Sequence, residues 1–154
     1  MRAGVLTMGP LLARYPKSKI RVALGGGCAL GIRDTSWHLS GFKSLGADNT
    51  LNRGYVNIYS KNGLKGNIFK FPKVTVTGSS NLIMASVLIK GEHIIKNISI
   101  EPEVKDLIKF LNNSGAYYDN DIKSFSNPHP LADDKSYCDK LIAEIYLITK
   151  EHIK

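Results

Sequence analysis

Phe42-Lys43-Ser44-Leu45-Gly46-Ala47 recurs as Leu111-Asn112-Asn113-Ser114-Gly115-Ala116, 69 residues further along the chain. In each copy an apolar residue sits near the end of a helical stretch. The helix then ends at the glycine. A second echo pairs Leu82-Ile83 and Leu88-Ile89-Lys90-Gly91-Glu92-His93-Ile94 with Leu141-Ile142 and Leu147-Ile148-Thr149-Lys150-Glu151-His152-Ile153. Each echo marks helix, tight turn, strand. The spacing is too long for a solenoid and fits a domain built from a few copies of one supersecondary unit. The chain therefore reads as repeated α/β units, each with a helix buried against its sheet.

Outward from the first copy, Asp34, Thr35 and Ser36 are all good helix caps. The helix they open places Trp37, Leu39, Phe42 and Leu45 on one side and ends at Gly46. Upstream, Lys19-Ile20-Arg21-Val22-Ala23-Leu24 alternates polar and apolar and reads as a short strand running into a glycine-rich loop. Residues 3–15 carry apolar groups at near-helical spacing, with a kink expected at Gly9-Pro10.

Downstream, Tyr55-Val56-Asn57-Ile58-Tyr59 and Asn67-Ile68-Phe69-Lys70-Phe71 read as strands joined through the turn signal Asn62-Gly63. Val74-Thr75-Val76 reads as a third extended piece, and Thr77-Gly78-Ser79-Ser80 as a turn before a helix over 81–90. Gly91 caps that helix, and His93-Ile94-Ile95 starts a strand. Glu101-Pro102-Glu103 opens a further helix whose apolar face is Val104, Leu107, Ile108 and Leu111. The pattern weakens over 119–135, and a last helix is expected over about 136–152.

With 154 residues and 43% hydrophobic content the chain is one ordinary domain, or part of a larger one, able to bury a sizeable core. Its apolar runs are too short to cross a bilayer, and the N-terminal stretch does not read as a secretory signal. Two distant cysteines form neither a disulfide framework nor a zinc pattern, so a reduced cytoplasm is the expected location. The charge of +8 suits anionic ligands. The lysines are scattered and not interleaved with aromatics on one stretch, which argues against a nucleic-acid reader.

One loop carries chemistry. In Gly25-Gly26-Gly27-Cys28-Ala29-Leu30-Gly31-Ile32-Arg33 a thiol lies between glycines and a fixed positive charge. Cationic surroundings lower a thiol's pKa and make it a better nucleophile. Taken alone, Cys28 reads first as a small buried hydrophobe after a turn, since free cysteine is among the most buried residue types.

Seven segments in order then carry a resemblance. They are Met1-Arg2-Ala3 with Leu6 and Gly9-Pro10-Leu11-Leu12-Ala13-Arg14; Gly26 to Arg33 as quoted; His38-Leu39-Ser40-Gly41; Gly63-Leu64-Lys65-Gly66; Val74-Thr75-Val76; Asn81-Leu82-Ile83-Met84-Ala85; and Glu101-Pro102-Glu103-Val104 with Phe110-Leu111. Together they resemble the UDP-N-acetylglucosamine 1-carboxyvinyltransferases. The resemblance covers residues 1–118, and 119–154 reads as a divergent continuation of the same domain. It implies an incomplete inside-out α/β barrel of βαβ-type repeats, EPSP-synthase-like. It implies transfer of the enolpyruvyl group of phosphoenolpyruvate to the 3′-hydroxyl of UDP-N-acetylglucosamine, with release of phosphate and no metal or organic cofactor.

Residue by residue, Cys28 matches the family's active-site cysteine on its lid loop, the thiol that fosfomycin alkylates. Arg33 matches an arginine that closes with that loop, and Arg2 another on the phosphoenolpyruvate side. A carboxylate and a phosphate on one substrate suit arginine's planar fork. Trp37 matches the segment that holds the uridine, although it reads equally as a core aromatic. Lys73, Val74, Thr75, Val76 and Gly78 match the segment around the nucleotide's phosphates. Thr75 and Ser79 also read as ordinary turn and cap hydroxyls, and His38 as a capping or packed surface histidine. Cys138 has no counterpart and reads as structural.

The chain departs from the family at Gly25, Ser36, Thr77-Gly78-Ser79 and Ile100. The family's catalytic lysine, a proposed general-base aspartate and a further arginine have no counterpart here. The chain is thus expected to be one part of an enzyme, with little turnover alone and the missing remainder as a partner. The other readings are an inactive fragment that binds nucleotide sugar or a full-length homologue, and the related shikimate-pathway enolpyruvyl transferase.

Overall fold

A computed structural model describes residues 2–23, 35–90, 93–116 and 118, with the backbone alone for Arg2 and Ala3. A 3-10 helix, Arg2–Thr7, runs directly into α1 (Met8–Arg14). Then follow β1 (Ile20–Ala23), α2 (Ser36–Ser44), β2 (Asp48–Asn52), β3 (Tyr55–Tyr59), β4 (Ile68–Lys70), α3 (Val76–Ser86), β5 (Ile94–Lys96) and α4 (Pro102–Asn113). The expected helix over 136–152, Cys138, Gly91 and the second copy of the longer echo lie outside the described residues.

The two copies of the opening motif close their helices in the same way. The Ala47 N–H donates to the Phe42 carbonyl at 3.0 Å and Gly46 N–H to Lys43 at 3.0 Å. Sixty-nine positions on, Ala116 donates to Leu111 at 2.9 Å and Gly115 to Asn112 at 3.0 Å. Gly46 and Gly115 have φ of 87° and 95°, the left-handed value this paired closure requires. Phe42, Leu111, Ala47 and Ala116 are all buried. The echo is a repeated Schellman closure that returns the chain into the core.

Strands β1, β3 and β2 form an antiparallel sheet in that order, with Ile20 opposite Ile58 and Asp48 opposite Tyr59. Ile20, Val22, Val56 and Ile58 face inward. Strands β4 and β5 pair in parallel across α3, a βαβ unit. Helix α3 is buried on nearly every side, with Leu82, Ile83 and Ala85 within the core. Its buried polar side chains, Ser79, Asn81 and Ser86, are hydrogen-bonded, and α1, α2 and α4 pack around it. No helix among the described residues is long and apolar enough to cross a membrane.

Four local expectations need correcting. Asn62-Gly63 does make a turn, but β3 and β4 lie in different sheets. The hairpin is β2–β3, turned by Arg53 and Gly54, which carry φ of 48° and 77°. Positive φ at both central residues is the geometry that matches strand twist in a two-residue loop. Pro10 does not kink a long helix. It falls in the first turn of α1, where its missing N–H costs nothing, and the break is the change of helix type at Thr7. Val74-Thr75-Val76 forms no strand, because Val76 already opens α3. The inner face of α2 is His38, Gly41, Phe42 and Leu45, while Trp37 and Leu39 flank it half-buried.

His93, just ahead of β5, is 1% exposed, and neither ring nitrogen has a hydrogen-bond partner. Burial pushes its pKa down to about 4 from the ordinary 6.5. The folded chain keeps this imidazole neutral, whereas the unfolded chain takes up a proton below pH 6.5. Stability is therefore fully present above pH 6.5 and falls by about 1.4 kcal/mol per unit between 6.5 and 4. The whole loss is about 3 kcal/mol. Urea midpoints at pH 7 and pH 4.5 should differ strongly in the native chain and much less in His93→Leu. Equal pH dependence in the two chains contradicts this assignment.

Candidate functional site

Two segments matched by sequence, the start of α2 and the start of α3, meet in the fold. His38, one residue after Trp37, is 4% exposed and lies between them. Its Nδ1 is 3.0 Å from Asn81 Nδ2, and its Nε2 is 3.4 Å from Thr77 Oγ1. Asn81 is fully buried on α3. Its Oδ1 accepts from the Gly9 N–H at 2.7 Å, and its Nδ2 donates to the Val5 carbonyl at 2.7 Å. Those two main-chain partners fix which end of the amide is the donor. His38 Nδ1 must then accept, so the network assigns the proton to Nε2, which points at Thr77. The 3-10 helix, α1, α2 and α3 are held by one buried carboxamide. His38 is thus a buried connector and not a surface or capping residue. Its place at i, with Gly41, Phe42 and Leu45 at i+3, i+4 and i+7, makes it part of the inner face.

The start of α3 is built by local hydroxyls. Thr75 is the N-cap, and its Oγ1 accepts from the Gly78 N–H at 3.2 Å. Ser79 Oγ donates to the Thr75 carbonyl at 2.6 Å, and Ser80 Oγ to Val76 at 3.0 Å. The helix accordingly begins at Val76 and not at Asn81, and Thr77-Gly78-Ser79-Ser80 is its first turn rather than a loop. A Cβ at Gly78 would collide with Thr75 Cγ2 and stand 3.3 Å from Phe71 Cε1.

The electrostatics of this corner favour an anion. The first two N–H groups of α3, on Val76 and Thr77, have no intrahelical acceptor. Neither α2 nor α3 carries an acid in its first turn. Lys73 and Val74 are exposed just ahead of the cap. Helix N-termini carry partial positive charge and bind phosphate groups through their free N–H groups.

Of the residues singled out from sequence, Trp37, Lys73, Val74, Thr75, Val76 and Gly78 are described. The His38–Thr77 contact brings the Trp37 turn beside the Thr75–Gly78 turn. Arg2 is described in backbone only, on the 3-10 helix whose Val5 carbonyl Asn81 holds. Cys28 and Arg33 lie outside the described residues. The described chain resumes on either side of them, at Ala23 ending β1 and Thr35 capping α2. Sequence reading missed Asn81 and His38 as connectors. The available signal was a polar residue heading the otherwise apolar run Asn81-Leu82-Ile83-Met84-Ala85.

The chain belongs to the EPSP synthase (3-phosphoshikimate 1-carboxyvinyltransferase) family, whose pattern matches residues 1–127. Within that class its sequence is similar to proteins named UDP-N-acetylglucosamine 1-carboxyvinyltransferase. It is 50% identical over 116 residues to the one from Trichlorobacter lovleyi, covering 75% of this chain and 27% of that protein. It is 49% identical over 116 residues to that of Myxococcus xanthus, with the same coverage. The chain therefore spans about a quarter of the length of these relatives. Among solved structures, it matches the enolpyruvyl transferase NikO from Streptomyces tendae with a TM-score of 0.59 at 14% identity, over 76% of this chain and 27% of that one. It matches EPSP synthase from Acinetobacter baumannii with a TM-score of 0.60 at 18% identity, over 82% and 28%. The likeness to these two structures concerns the fold, which is the incomplete α/β assembly expected from the repeated units.

Proposed function

We propose that this chain is the lid-loop-bearing part of a UDP-N-acetylglucosamine 1-carboxyvinyltransferase, acting in the cytoplasm in the first committed step of peptidoglycan synthesis. The observation that carries the reading is the 50% identity over 116 residues to a relative of that name. The substrates are phosphoenolpyruvate and UDP-N-acetylglucosamine. The acceptor's 3′-hydroxyl adds to the enolpyruvyl carbon as the methylene carbon gains a proton, and loss of that proton with phosphate restores the double bond. Cys28 is the acid on the phosphoenolpyruvate side. Arg33 and Arg2 bind that substrate's carboxylate and phosphate, for which paired guanidinium forks are suited. Trp37 lies against the uridine. Lys73, the main chain of Val74, Thr75 and Val76, and Gly78 surround the nucleotide's phosphates, in keeping with the acid-free start of α3.

The remainder of the enzyme is the partner this reading requires, and the isolated chain has little turnover. Fosfomycin labelling tests the role of the thiol. Residues 1–116 are exchanged into a relative in place of its own matching segment, and the treated protein is mapped by peptide mass. The adduct is expected on the Cys28 peptide, and an unlabelled Cys28 peptide contradicts the assignment. The shikimate-pathway alternative is favoured by the family description alone.

A further inference from the structure

The outer face of the β1–β3–β2 sheet carries a groove that the reading above leaves unused. Its volume is about 400 Å3, and it is lined by Lys19, Arg21, Asn52, Arg53 and Asn57. Three cations and two carboxamides line it, with no carboxylate among the described residues of the lining. Arg21 sits opposite Asn57 in the sheet register, and its guanidinium lies 4.1 Å from the centroid of the Tyr55 ring. That stacking fixes one cation in place. Arg53 is held at the hairpin turn with a φ of 48°. Asparagine, aspartate or glycine is the ordinary choice at that turn position, so arginine there is unfavourable for the turn itself. Like charges facing one cleft also repel, and a bound anion removes that repulsion.

We propose that this groove binds a phosphate chain, a diphosphate or longer, on the outer face of the sheet. Lys19 precedes the residue opposite Ile58, and Arg53 follows the residue opposite Tyr55. The main-chain positions that carry the cations are thus spread over about five strand residues, or roughly 17 Å. A single oxyanion is too short to engage all of them, whereas a linear oligophosphate spans them. Arginine guanidinium and asparagine amide N–H groups supply directed donors for its oxygens. The groove is formed by residues other than those assigned to the sugar nucleotide and phosphoenolpyruvate.

The probe is inorganic tripolyphosphate, titrated into the 154-residue chain by calorimetry. Saturable binding is expected, tighter than for inorganic phosphate. Arg53→Asn keeps the turn geometry while removing the charge, and should weaken binding about tenfold. Arg21→Gln should weaken it by a similar factor. Lys70→Gln and Lys105→Gln remove the same charge from other exposed positions and should leave affinity within about twofold. Circular dichroism of each variant checks that it is folded. Three results overturn the proposal: no saturable binding by the native chain, equal weakening by Lys70→Gln, or undiminished binding by folded Arg53→Asn and Arg21→Gln.

Discussion

Asn81→Ala destabilises the chain by about 4 kcal/mol. The side chain is fully buried and joins four elements by three hydrogen bonds. Its loss strands the buried Gly9 N–H and removes the Asn81 partner of the half-buried Val5 carbonyl and of His38 Nδ1. Each orphaned buried group costs about 1–3 kcal/mol. Small shifts or an entering water recover part of that sum. With a urea m-value of about 2 kcal/mol/M, the unfolding midpoint should fall by roughly 2 M. A fall equivalent to less than about 1 kcal/mol would mean the carboxamide is not the connector described here. Asn81→Asp should not rescue the fold, since its second oxygen would face the Val5 carbonyl without a proton to donate.

Gly9→Ala has a comparable effect, about 3 kcal/mol or more, for a different reason. A Cβ at Gly9 would enter the space of the Asn81 carbonyl oxygen and stand 2.5 Å from its Oδ1. The obstacle is largely main chain of a buried helix, which a rotamer change cannot relieve. Helices α1 and α3 would have to separate, losing the Gly9–Asn81 hydrogen bond at 2.7 Å. Because Gly9→Ala clashes with the backbone as well as the side chain, the two effects overlap only in part. The double variant should fall short of the sum by about 1–2 kcal/mol. Chemical denaturation of the four chains gives this coupling directly. Full additivity would separate the two residues energetically and contradict the contact.

What was legible in the sequence was what local chemistry decides. Gly46 and Gly115 end helices through bonds within six residues, so their echo survived as a visible motif. Pro102 at the start of α4, and Val104, Ile108 and Leu111 at helical spacing, told the same story. Strand β2 was not legible: Asp-Asn-Thr-Leu-Asn faces solvent along almost its whole length and has no apolar alternation. Its existence depends on pairing with β3. The start of α3 was misread because threonine, glycine and serine suit turns as well as caps. The hydroxyls there bond back to the helix and extend it.

The site divides in the same way. The hydroxyl of Thr75 has a cap among its sequence readings, although the helix it caps starts five residues earlier than the pattern suggests, and the matched segments around Trp37 and Gly78 lie together. His38 could not be placed from its own neighbourhood, because its partner is 43 residues away on another helix. Nor could the three cations of the sheet groove be grouped in advance. Lys19 and Arg21 lie more than thirty residues from Arg53, and pairing of β1 and β2 with β3 gathers them.

In the proposed function the chain supplies the lid-bearing part of an enolpyruvyl transferase acting on UDP-N-acetylglucosamine. Phosphate release by the exchange protein, in which residues 1–116 replace the matching segment of a relative, tests it most directly. With phosphoenolpyruvate present, release should depend on UDP-N-acetylglucosamine and not on shikimate 3-phosphate. Cys28→Ala should lower that rate by at least about 100-fold, the usual scale for losing a positioned acid. Release driven by shikimate 3-phosphate, or a folded exchange protein whose rate is indifferent to Cys28, would contradict the account.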